Sequence, residues 1–303
     1  MNTKYLISIV GPTAIGKTAL SIALARHFKT EILSADSRQF YRELQIGTAA
    51  PSPEELKMAP HYFVHHKSVV DDYNVGAFER DALQLLEQLF QQQDVVIMVG
   101  GSGLYVDAVT KGLDNFPDIE PSVRVALNEQ LVSKGLEFLQ ERLKELDPVS
   151  YDSIALDNPH RVIRALEISI GSGGLPYSSY LNQQKDQRPF KTITVGLTAE
   201  RSIIYERINQ RVDQMIASGL LEEVENLKKF KKLNALNTVG YSELFKFIDK
   251  EWSLDFAISE IKKNSRRYAK RQLTWLRKKE NICWFDYQSS MDEIIKTINK
   301  EMK

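Results

Sequence analysis

The chain has 303 residues, of which 43% are hydrophobic and 26% are charged, and its formal net charge is zero. This composition is average for a globular protein, and the length allows one large domain or two of ordinary size. No apolar run approaches the ~20 residues that span a bilayer, so we expect a cytoplasmic protein with no membrane partner, and the single Cys283 excludes an internal disulfide.

The first predicted strand, Tyr5–Val10, leads into a glycine-rich segment, GPTAIGKT, that fits G-x-x-x-x-G-K-[ST] at each fixed position. A helix is predicted directly after it, from about 19 to 28. Backbone N–H groups of such a loop surround phosphate oxygens, and the helix start and the lysine add positive charge. We therefore predict phosphate binding by Gly11, Pro12, Thr13, Ala14, Ile15, Gly16, Lys17 and Thr18, with the Thr18 hydroxyl available to Mg²⁺.

Strands and helices alternate through the first half of the chain. Strands are predicted at 31–35 and 94–99, a further one is a candidate at 61–65, and a helix is predicted from 73 to 90. Apolar strands alternating with helices are typical of a parallel, doubly wound sheet with helices on both faces. Ligands of such sheets collect at the carboxyl ends of the strands, where the P-loop and Asp36 both lie.

Asp36 follows the strand at 31–35, which we expect to lie beside the P-loop strand. Its carboxylate could ligate Mg²⁺ through water or act as a base, but Asp-Ser is equally suited to cap a helix. The sequence GGSG at 100–103 could bring backbone and the Ser102 hydroxyl close to a second ligand, or it could be an ordinary glycine turn. The residues alone leave both pairs of alternatives open.

The middle of the chain is predicted to be helical. Residues 122–170 follow a helical pattern that breaks before Pro148 and Pro159. A strand at 192–197 most simply rejoins the sheet, so 115–189 is interpreted as a helical insertion.

The remaining segments, 1–114 and 190–303, form the P-loop core with a helical C-terminal region. From 200 to 279 the pattern is helical, with breaks at Gly219 and at 234–240. The predicted fold class is therefore α/β, with a P-loop parallel sheet, a helical insertion domain and a helical C-terminal region.

Charge is unevenly distributed along this C-terminal region. From Lys262 to Lys279 there are nine lysines or arginines and no acidic residue, with Tyr268 and Trp275 among them. This density favours a nucleic-acid backbone as partner, and the alternative is a solvated basic helix that docks through its apolar residues.

Arg207 and Arg211 are spaced to share one helix face. Such a pair could clamp an oligophosphate, since arginine keeps its charge and fork geometry when desolvated. The alternative is a solvated pair with Glu200 or Glu206 as partners.

The motifs together resemble, in the same order, those of the bacterial tRNA dimethylallyltransferases, the isopentenyl-diphosphate:tRNA transferases. They are GPTAIGKT at 11–18, SADSRQFY at 34–41, IGTA at 46–49, VGGSGLY at 99–105, NPHR at 158–161 with RALE at 164–167, RVDQM at 211–215, VGY at 239–241 and YAKRQLTWL at 268–276. The resemblance runs from about residue 5 to residue 285.

The resemblance implies transfer of the prenyl group of dimethylallyl diphosphate to N6 of the adenosine just 3′ of the anticodon, with release of diphosphate. In that family the P-loop holds a prenyl diphosphate and not a nucleoside triphosphate. The catalytic residues carried over are Asp36 as general base, Lys17 and Arg211 on the leaving diphosphate, and Ser102, whose hydroxyl reaches the adenine. Mg²⁺ near Thr18 is the implied cofactor.

The resemblance also implies a tRNA anticodon stem-loop as partner, and we expect a monomer. The tRNA-contacting positions carried over are Asp36, Ser37, Arg38, Gln39, Ser102, Arg124, His160, Arg161, Val162, Ile163, Arg164, Asn237, Thr238, Val239, Gly240, Tyr241 and Ser242. Two of them depart from the family pattern: Ser102 replaces a usual threonine, and Ser242 replaces a frequent basic residue, where a phosphate contact would be lost. The alternatives are a prenyltransferase acting on free AMP and a small-molecule P-loop kinase.

Overall fold

The computed structural model describes residues 2–183 and 185–303, and it divides into two compact units. The first unit comprises Met1–Lys111 together with Arg188–Lys303, and the second comprises Gly112–Gln187. The second unit is continuous in sequence and interrupts the first. Its predicted role in tRNA binding stays a prediction.

The first unit is built on a parallel sheet, whose six strands in the described residues have the order β3-β2-β4-β1-β5-β6. The strands are β1 (Tyr5–Val10), β2 (Ile32–Ser34), β3 (His61–Tyr62), β4 (Val95–Val99), β5 (Lys191–Thr198) and β6 (Ile282–Asp286). Every pair of neighbours in this order runs parallel. The predicted α/β fold with a parallel core is therefore confirmed.

The strand order corrects one prediction about Asp36. β4 lies between β1 and β2, because Val99 pairs with Ile9 on one side and with Ser34 on the other. The strand before Asp36 is thus not the neighbour of the P-loop strand. The physical reason is that the apolar, five-residue β4 suits the centre of the sheet better than the three-residue β2. Asp36 still lies at the same edge as the P-loop.

The segment 61–65 forms a strand over only two residues, His61–Tyr62. Phe63 and His65 have φ angles of 62° and 53°, and this left-handed conformation ends the extended backbone. The candidate strand is therefore wrong beyond Tyr62.

Helices connect the strands and continue through the C-terminal region. They are α1 (Lys17–Phe28), α2 (Pro53–Met58), α3 (Val75–Gln92), α4 (Gly103–Lys111), α5 (Pro121–Lys134), α6 (Leu136–Leu146), α7 (Pro148–Ser153), α8 (Pro159–Gly171), α9 (Arg201–Ala217), α10 (Leu220–Asn226), α11 (Tyr241–Ile248), α12 (Leu254–Leu276) and α13 (Met291–Glu301). The helices predicted at 19–28 and 73–90 and the breaks before Pro148 and Pro159 are confirmed. Gly135, with a φ of 85°, makes a further break, and β6 and α13 lie beyond the predicted elements.

Helices cover both faces of the sheet, because side chains alternate along each strand. Ile7 and Ile9 of β1 pack in a cluster with α1, α9 and α13, whereas Leu6 and Val10 pack in another with α3 and α4. A third cluster joins α10, α11 and α12 around Tyr241. The second unit has its own core, formed by α5, α6 and α8. Within residues 2–183 and 185–303, no helix combines the length and apolar character needed to cross a membrane.

Candidate active site

The P-loop turns sharply between β1 and α1. Gly11, Ala14 and Gly16 have φ angles of 150°, 66° and 109°, and positive values in such loops let consecutive N–H groups line a concave anion site. A Cβ on Gly11 would lie 2.7 Å from a carbonyl oxygen of β5, so the loop can approach that strand only with glycine here. Lys17 begins α1, and its Nζ donates a 2.8 Å hydrogen bond to the carbonyl oxygen of Pro12. The predicted P-loop conformation is therefore present.

Two adjoining cavities open at this edge of the sheet, and Thr13, Asp36 and Arg211 line both of them. The first cavity is mainly polar and contains residues 13–18 of the P-loop. The second has an apolar wall from α9, α12 and the loop before α11, formed by Ile208, Val212, Met215, Val239 and Ile261. A molecule with an anionic head and a short apolar tail fits this pair, with its junction beside Asp36.

Lys17, Asp36 and Arg211 shift one another's pKa values across the polar cavity. Desolvation and then the charge of Arg211 lower the pKa of Lys17 to about 8, against the opposing effect of Asp36. Desolvation raises the pKa of Asp36, and the N–H of Arg38 and the charge of Lys17 offset part of that rise. Desolvation and then Arg207 lower the pKa of Arg211. The crowded cations favour a bound anion, and a raised pKa makes the Asp36 carboxylate a stronger base.

Asp36 lies in a turn and does not cap a helix. Its Oδ1 accepts the N–H of Arg38 at 3.1 Å, and residues 37–40 form the turn. The N-cap alternative is therefore wrong, and the carboxylate faces the cavities. The Arg38 guanidinium donates to the carbonyl oxygens of Asn234 and Asn237 at 3.0 and 3.4 Å, which ties the turn to the loop before α11.

Both arginines of α9 contact the P-loop. Arg207 Nε donates to the carbonyl oxygen of Ala14 at 2.8 Å, and an Arg211 guanidinium nitrogen lies 3.5 Å from the Thr13 hydroxyl. One helix face therefore follows the loop, as their i, i+4 spacing predicts. These contacts favour an oligophosphate clamp over pairing with acidic neighbours on α9.

The glycine turn after β4 brings Ser102 to the turn that follows β2. The N–H of Ser37 donates to Ser102 Oγ at 3.2 Å. A Cβ on Gly100 would lie 2.6 Å from the carbonyl oxygen of Ala35, so this approach requires glycine. Desolvation raises the pKa of the Tyr268 phenol on α12 to about 12, and the Ser102 hydroxyl opposes part of that rise. The turn thus brings the Ser102 hydroxyl beside Ser37, and its contact with a second ligand stays a prediction.

The predicted tRNA-contacting stretch from Asn237 to Ser242 lies at the other side of the apolar cavity. Thr238, Val239 and Gly240 line that cavity. Tyr241 is fully buried, and its hydroxyl donates to Glu223 at 2.5 Å. Tyr241 therefore packs inside the protein and holds the stretch in place.

The remaining predicted tRNA contacts lie in the second unit. Arg124 and Arg164 both pair with Glu167, at 2.9 and 2.8 Å. Val162 and Ile163 are buried in the core of this unit and serve packing there. The exposed side chains at the start of α8 are His160 and Arg161.

The basic helix α12 has one docked face and one open basic face. Leu276 is buried, Lys262 pairs with Asp213 at 2.6 Å, and Lys279 pairs with Asp107. A surface groove on the open face is lined by Arg267, Lys270, Arg271, Thr274, Trp275 and Lys278. The docked face agrees with the alternative of a basic helix that docks through its apolar residues, and nucleic-acid binding by the open face stays a prediction.

Two polar residues that the sequence interpretation missed contact the loops of the site. Gln272 bonds the P-loop and the glycine turn, and Glu223 holds the segment at 45–47. The signal for Gln272 is its position between Ala269 and Leu276 on the buried stripe of α12, where a polar residue needs partners. Glu223 has no comparable signal, because its partners are distant in sequence.

Comparison with known proteins gives concordant matches over the whole chain. The IPP transferase family model matches residues 39–279. A tRNA dimethylallyltransferase of Flavobacterium johnsoniae is 56% identical over 99% of both chains, and tRNA dimethylallyltransferase 1 of Bacteroides fragilis is 48% identical over 100% of both. Among solved structures, the tRNA isopentenylpyrophosphate transferase of Bacillus halodurans is 36% identical with a TM-score of 0.72, covering 99% of this chain and 95% of its own. A eukaryotic dimethylallyltransferase acting on tRNA, 24% identical with a TM-score of 0.84 over 99% of this chain and 79% of its own, has the same fold.

Proposed function

This chain belongs to the IPP transferase family, and we propose that it transfers the dimethylallyl group of dimethylallyl diphosphate to N6 of the adenosine 3′-adjacent to the anticodon in tRNA. The other product is diphosphate. The observation that carries the proposal is the pair of joined cavities, one polar at the P-loop and one apolar, with Asp36 and Arg211 lining both. A prenyl diphosphate has this same division between a charged head and a short apolar tail.

The P-loop and its cations would bind the diphosphate and stabilise it as it leaves. Negative charge builds on the leaving oxygen as the allylic C–O bond breaks, and prearranged donors lower the barrier by stabilising that charge. Lys17 and Arg211 carry the positive charge, and Arg207 supports the loop through its bond to Ala14. Both cations are more desolvated than surface residues, as their lowered pKa values indicate.

Asp36 would accept the proton that N6 loses. As the new N6–C1 bond forms, the amine becomes acidic, and a carboxylate within hydrogen-bond reach can take its proton. The raised pKa of Asp36 increases its basicity for this step. Ser102, whose Oγ accepts the N–H of Ser37 in the same turn, would bond the adenine.

Mg²⁺ is the cofactor that we propose for this site. Thr18 lines the polar cavity and supplies a hydroxyl oxygen, the ligand type that Mg²⁺ prefers, and Mg²⁺ usually keeps several waters and substrate phosphate oxygens. When bound, the ion would neutralise part of the diphosphate charge.

The tRNA would bind through its anticodon stem-loop. A stacked adenine cannot reach a cavity at the sheet edge, so the base must leave the stack, and single-stranded loops allow this. The open face of α12 supplies Arg267, Lys270 and Arg271 for the phosphate backbone. His160 and Arg161 of the second unit are further candidates. One chain carries all these groups, which supports a monomer.

The test is to incubate the protein with radiolabelled dimethylallyl diphosphate, Mg²⁺ and either tRNA, AMP or no acceptor. We expect label in tRNA at the adenosine 3′ of the anticodon. Label in AMP would favour the free-nucleotide prenyltransferase. No transfer to tRNA, with phosphorylation of a small molecule in a parallel incubation that contains labelled ATP, would favour a kinase, although a kinase does not explain the apolar cavity.

A further inference from the structure

Gln272 is a buried carboxamide near the C-terminal end of the basic helix α12, with 7% of its surface exposed. Its two polar atoms bond two different loops of the site. Oε1 accepts the backbone N–H of Thr13 in the P-loop at 2.9 Å, and Nε2 donates to the carbonyl oxygen of Gly101 at 2.8 Å. One side chain therefore joins the P-loop to the turn that carries Ser102.

The glycine turn can lie close to α12 only because Gly101 and Gly103 have no side chain. A Cβ on Gly101 would lie 2.4 Å from Gln272 Nε2, and a Cβ on Gly103 would lie 2.6 Å from the Trp275 ring. Gln272 and Trp275 are three residues apart and so lie on the same side of the helix. The register of α12 against the turn is thus set by two close contacts.

Thr13 is held from two directions. Its N–H is bonded by Gln272, and its hydroxyl lies 3.5 Å from the Arg211 guanidinium. Because the Thr13 N–H is occupied, an anion in the loop would be bound by the N–H groups nearer to α1 and by Lys17. The atom that accepts the Thr13 N–H, Gln272 Oε1, belongs to a neutral amide and adds no negative charge beside a diphosphate.

The side chain at position 272 must supply both a hydrogen-bond donor and a hydrogen-bond acceptor. A glutamate has the same shape but would lack the donor for Gly101 and would place a charge beside the anion site. A methionine has a similar length but would leave the Thr13 N–H and the Gly101 carbonyl unbonded in a buried place, which is unfavourable. Glutamine is the residue of this size that satisfies both loops.

We propose that Gln272 is a positioning residue, which holds the P-loop and the Ser102 turn at one fixed separation and so sets the geometry of the diphosphate site. It acts through Thr13 and Gly101, and no contact with the reacting atoms is needed. The proposal rests on the proposed function for the identity of the anion. It makes the basic helix part of the diphosphate site in addition to any contact with RNA.

The first experiment measures binding of inorganic pyrophosphate with Mg²⁺ to the protein without tRNA, by calorimetry. We expect Gln272→Met to weaken binding about tenfold, the size of one or two lost hydrogen bonds, and Gln272→Glu to weaken it more. Ser259→Ala is the matched control on the same helix, because that hydroxyl is exposed and bonds only a carbonyl oxygen of its own turn. It should bind pyrophosphate as the wild type does.

A second variant keeps the Gln272 side chain but displaces its carboxamide. Gly101→Ala would push Gln272 Nε2 away and should weaken pyrophosphate binding to a similar extent, whereas Gly76→Ala on α3, where a Cβ meets nothing closer than 3.4 Å, should not. If Gln272→Met does not fold, as thermal unfolding would report, Gly101→Ala decides the question.

Kinetic measurements distinguish a loss of positioning at the diphosphate site from a general loss of structure. The KM for dimethylallyl diphosphate should rise about tenfold in Gln272→Met, while the affinity for tRNA measured without diphosphate changes less than twofold. Pyrophosphate binding within twofold of the wild type in folded Gln272→Met or Gly101→Ala would overturn the inference. If the wild type transfers no label to tRNA, the proposed function fails instead, and the pyrophosphate measurements still judge Gln272.

Discussion

The Tyr241 hydroxyl donates to the Glu223 carboxylate at 2.5 Å, and the same carboxylate accepts the backbone N–H groups of Gln45, Ile46 and Gly47 at 2.8–3.1 Å. A Cβ on Gly47 would lie 2.4 Å from the Tyr241 ring, so the loop rests directly on the tyrosine. The next residue of this loop, Thr48, lines both cavities. The buried Tyr241 on α11 and the half-buried Glu223 on α10 therefore support one wall of the site.

We expect Tyr241→Phe to lower the free energy of unfolding by about 1–3 kcal/mol, because the half-buried Glu223 carboxylate loses one of its four donors. The loop at 45–47 should also loosen, so the KM for dimethylallyl diphosphate should rise. Urea unfolding and steady-state kinetics measure the two effects. Tyr180→Phe is the control, since that ring packs against Phe116 in the second unit. Equal stability of Tyr241→Phe and the wild type would contradict the role of this pair.

Asp36→Asn should reduce turnover by a factor of about 10² to 10⁴, the usual contribution of a positioned base. The amide keeps an oxygen for the N–H of Arg38, so the turn and the affinity for tRNA should persist. Single-turnover transfer of label and a tRNA filter-binding assay give the two values. Asp249→Asn, at the exposed pair with Lys231, should leave both unchanged. Turnover of Asp36→Asn within a few-fold of the wild type would remove Asp36 as the base.

Pyrophosphate binding should weaken as pH rises above about 8. Lys17 binds the anion as a cation, and its pKa of about 8 in the free protein means that it loses this charge at a pH where an ordinary lysine would keep it. Calorimetric titrations between pH 7 and about 9.5 test this. Lys17→Met should bind weakly at every pH and should lose this part of the pH dependence. If the dependence of pyrophosphate affinity on pH is the same in Lys17→Met as in the wild type, another group causes it.

His66 should make the protein less stable at acid pH. Burial among the rings of Phe40, Phe63 and Tyr73 lowers the pKa of His66 to about 4, with Lys67 as the next cause. The unfolded chain binds a proton at this residue below about 6.5 and the folded chain does not. The free energy of unfolding should therefore fall between pH 6.5 and pH 4, by an amount on the order of 2 kcal/mol from this group.

Denaturant unfolding at several pH values, with His66→Leu as the variant, measures that contribution. The slope of the free energy of unfolding against pH should decrease in His66→Leu but not vanish, because desolvation also lowers the pKa values of His61 and His65. His27→Asn on the exposed side of α1 is the control and should keep the wild-type slope. A wild-type slope in His66→Leu would show that this ring is not the titrating group.

The open face of α12 should contribute electrostatically to tRNA affinity. Replacing Lys270 and Arg271 by alanine should weaken binding and make the plot of log affinity against log salt less steep by about one unit or more, since each phosphate contact releases a counterion. Lys296→Ala on α13 is the exposed control. A salt dependence equal to that of the wild type would place the RNA elsewhere.

Local sequence patterns were sufficient to predict much of the fold of this protein. The P-loop could be predicted because its conformation depends on glycines within eight residues, and β1 and β4 because continuous apolar runs need burial on both faces. The candidate strand at 61–65 failed beyond Tyr62, since the positive φ of Phe63 has no signal in a non-glycine residue.

The sequence by itself determined the P-loop at Gly11–Thr18 and the alternation of strands and helices around it, because these properties depend on neighbours in the chain. Only the tertiary structure decided that β4 separates β2 from β1, that Tyr241 is buried against Glu223, and that Gln272 joins the P-loop to the glycine turn. Those contacts link residues from tens to hundreds of positions apart. Their geometry is set by the packing of α9 to α12 on the sheet edge, which no short-range pattern records.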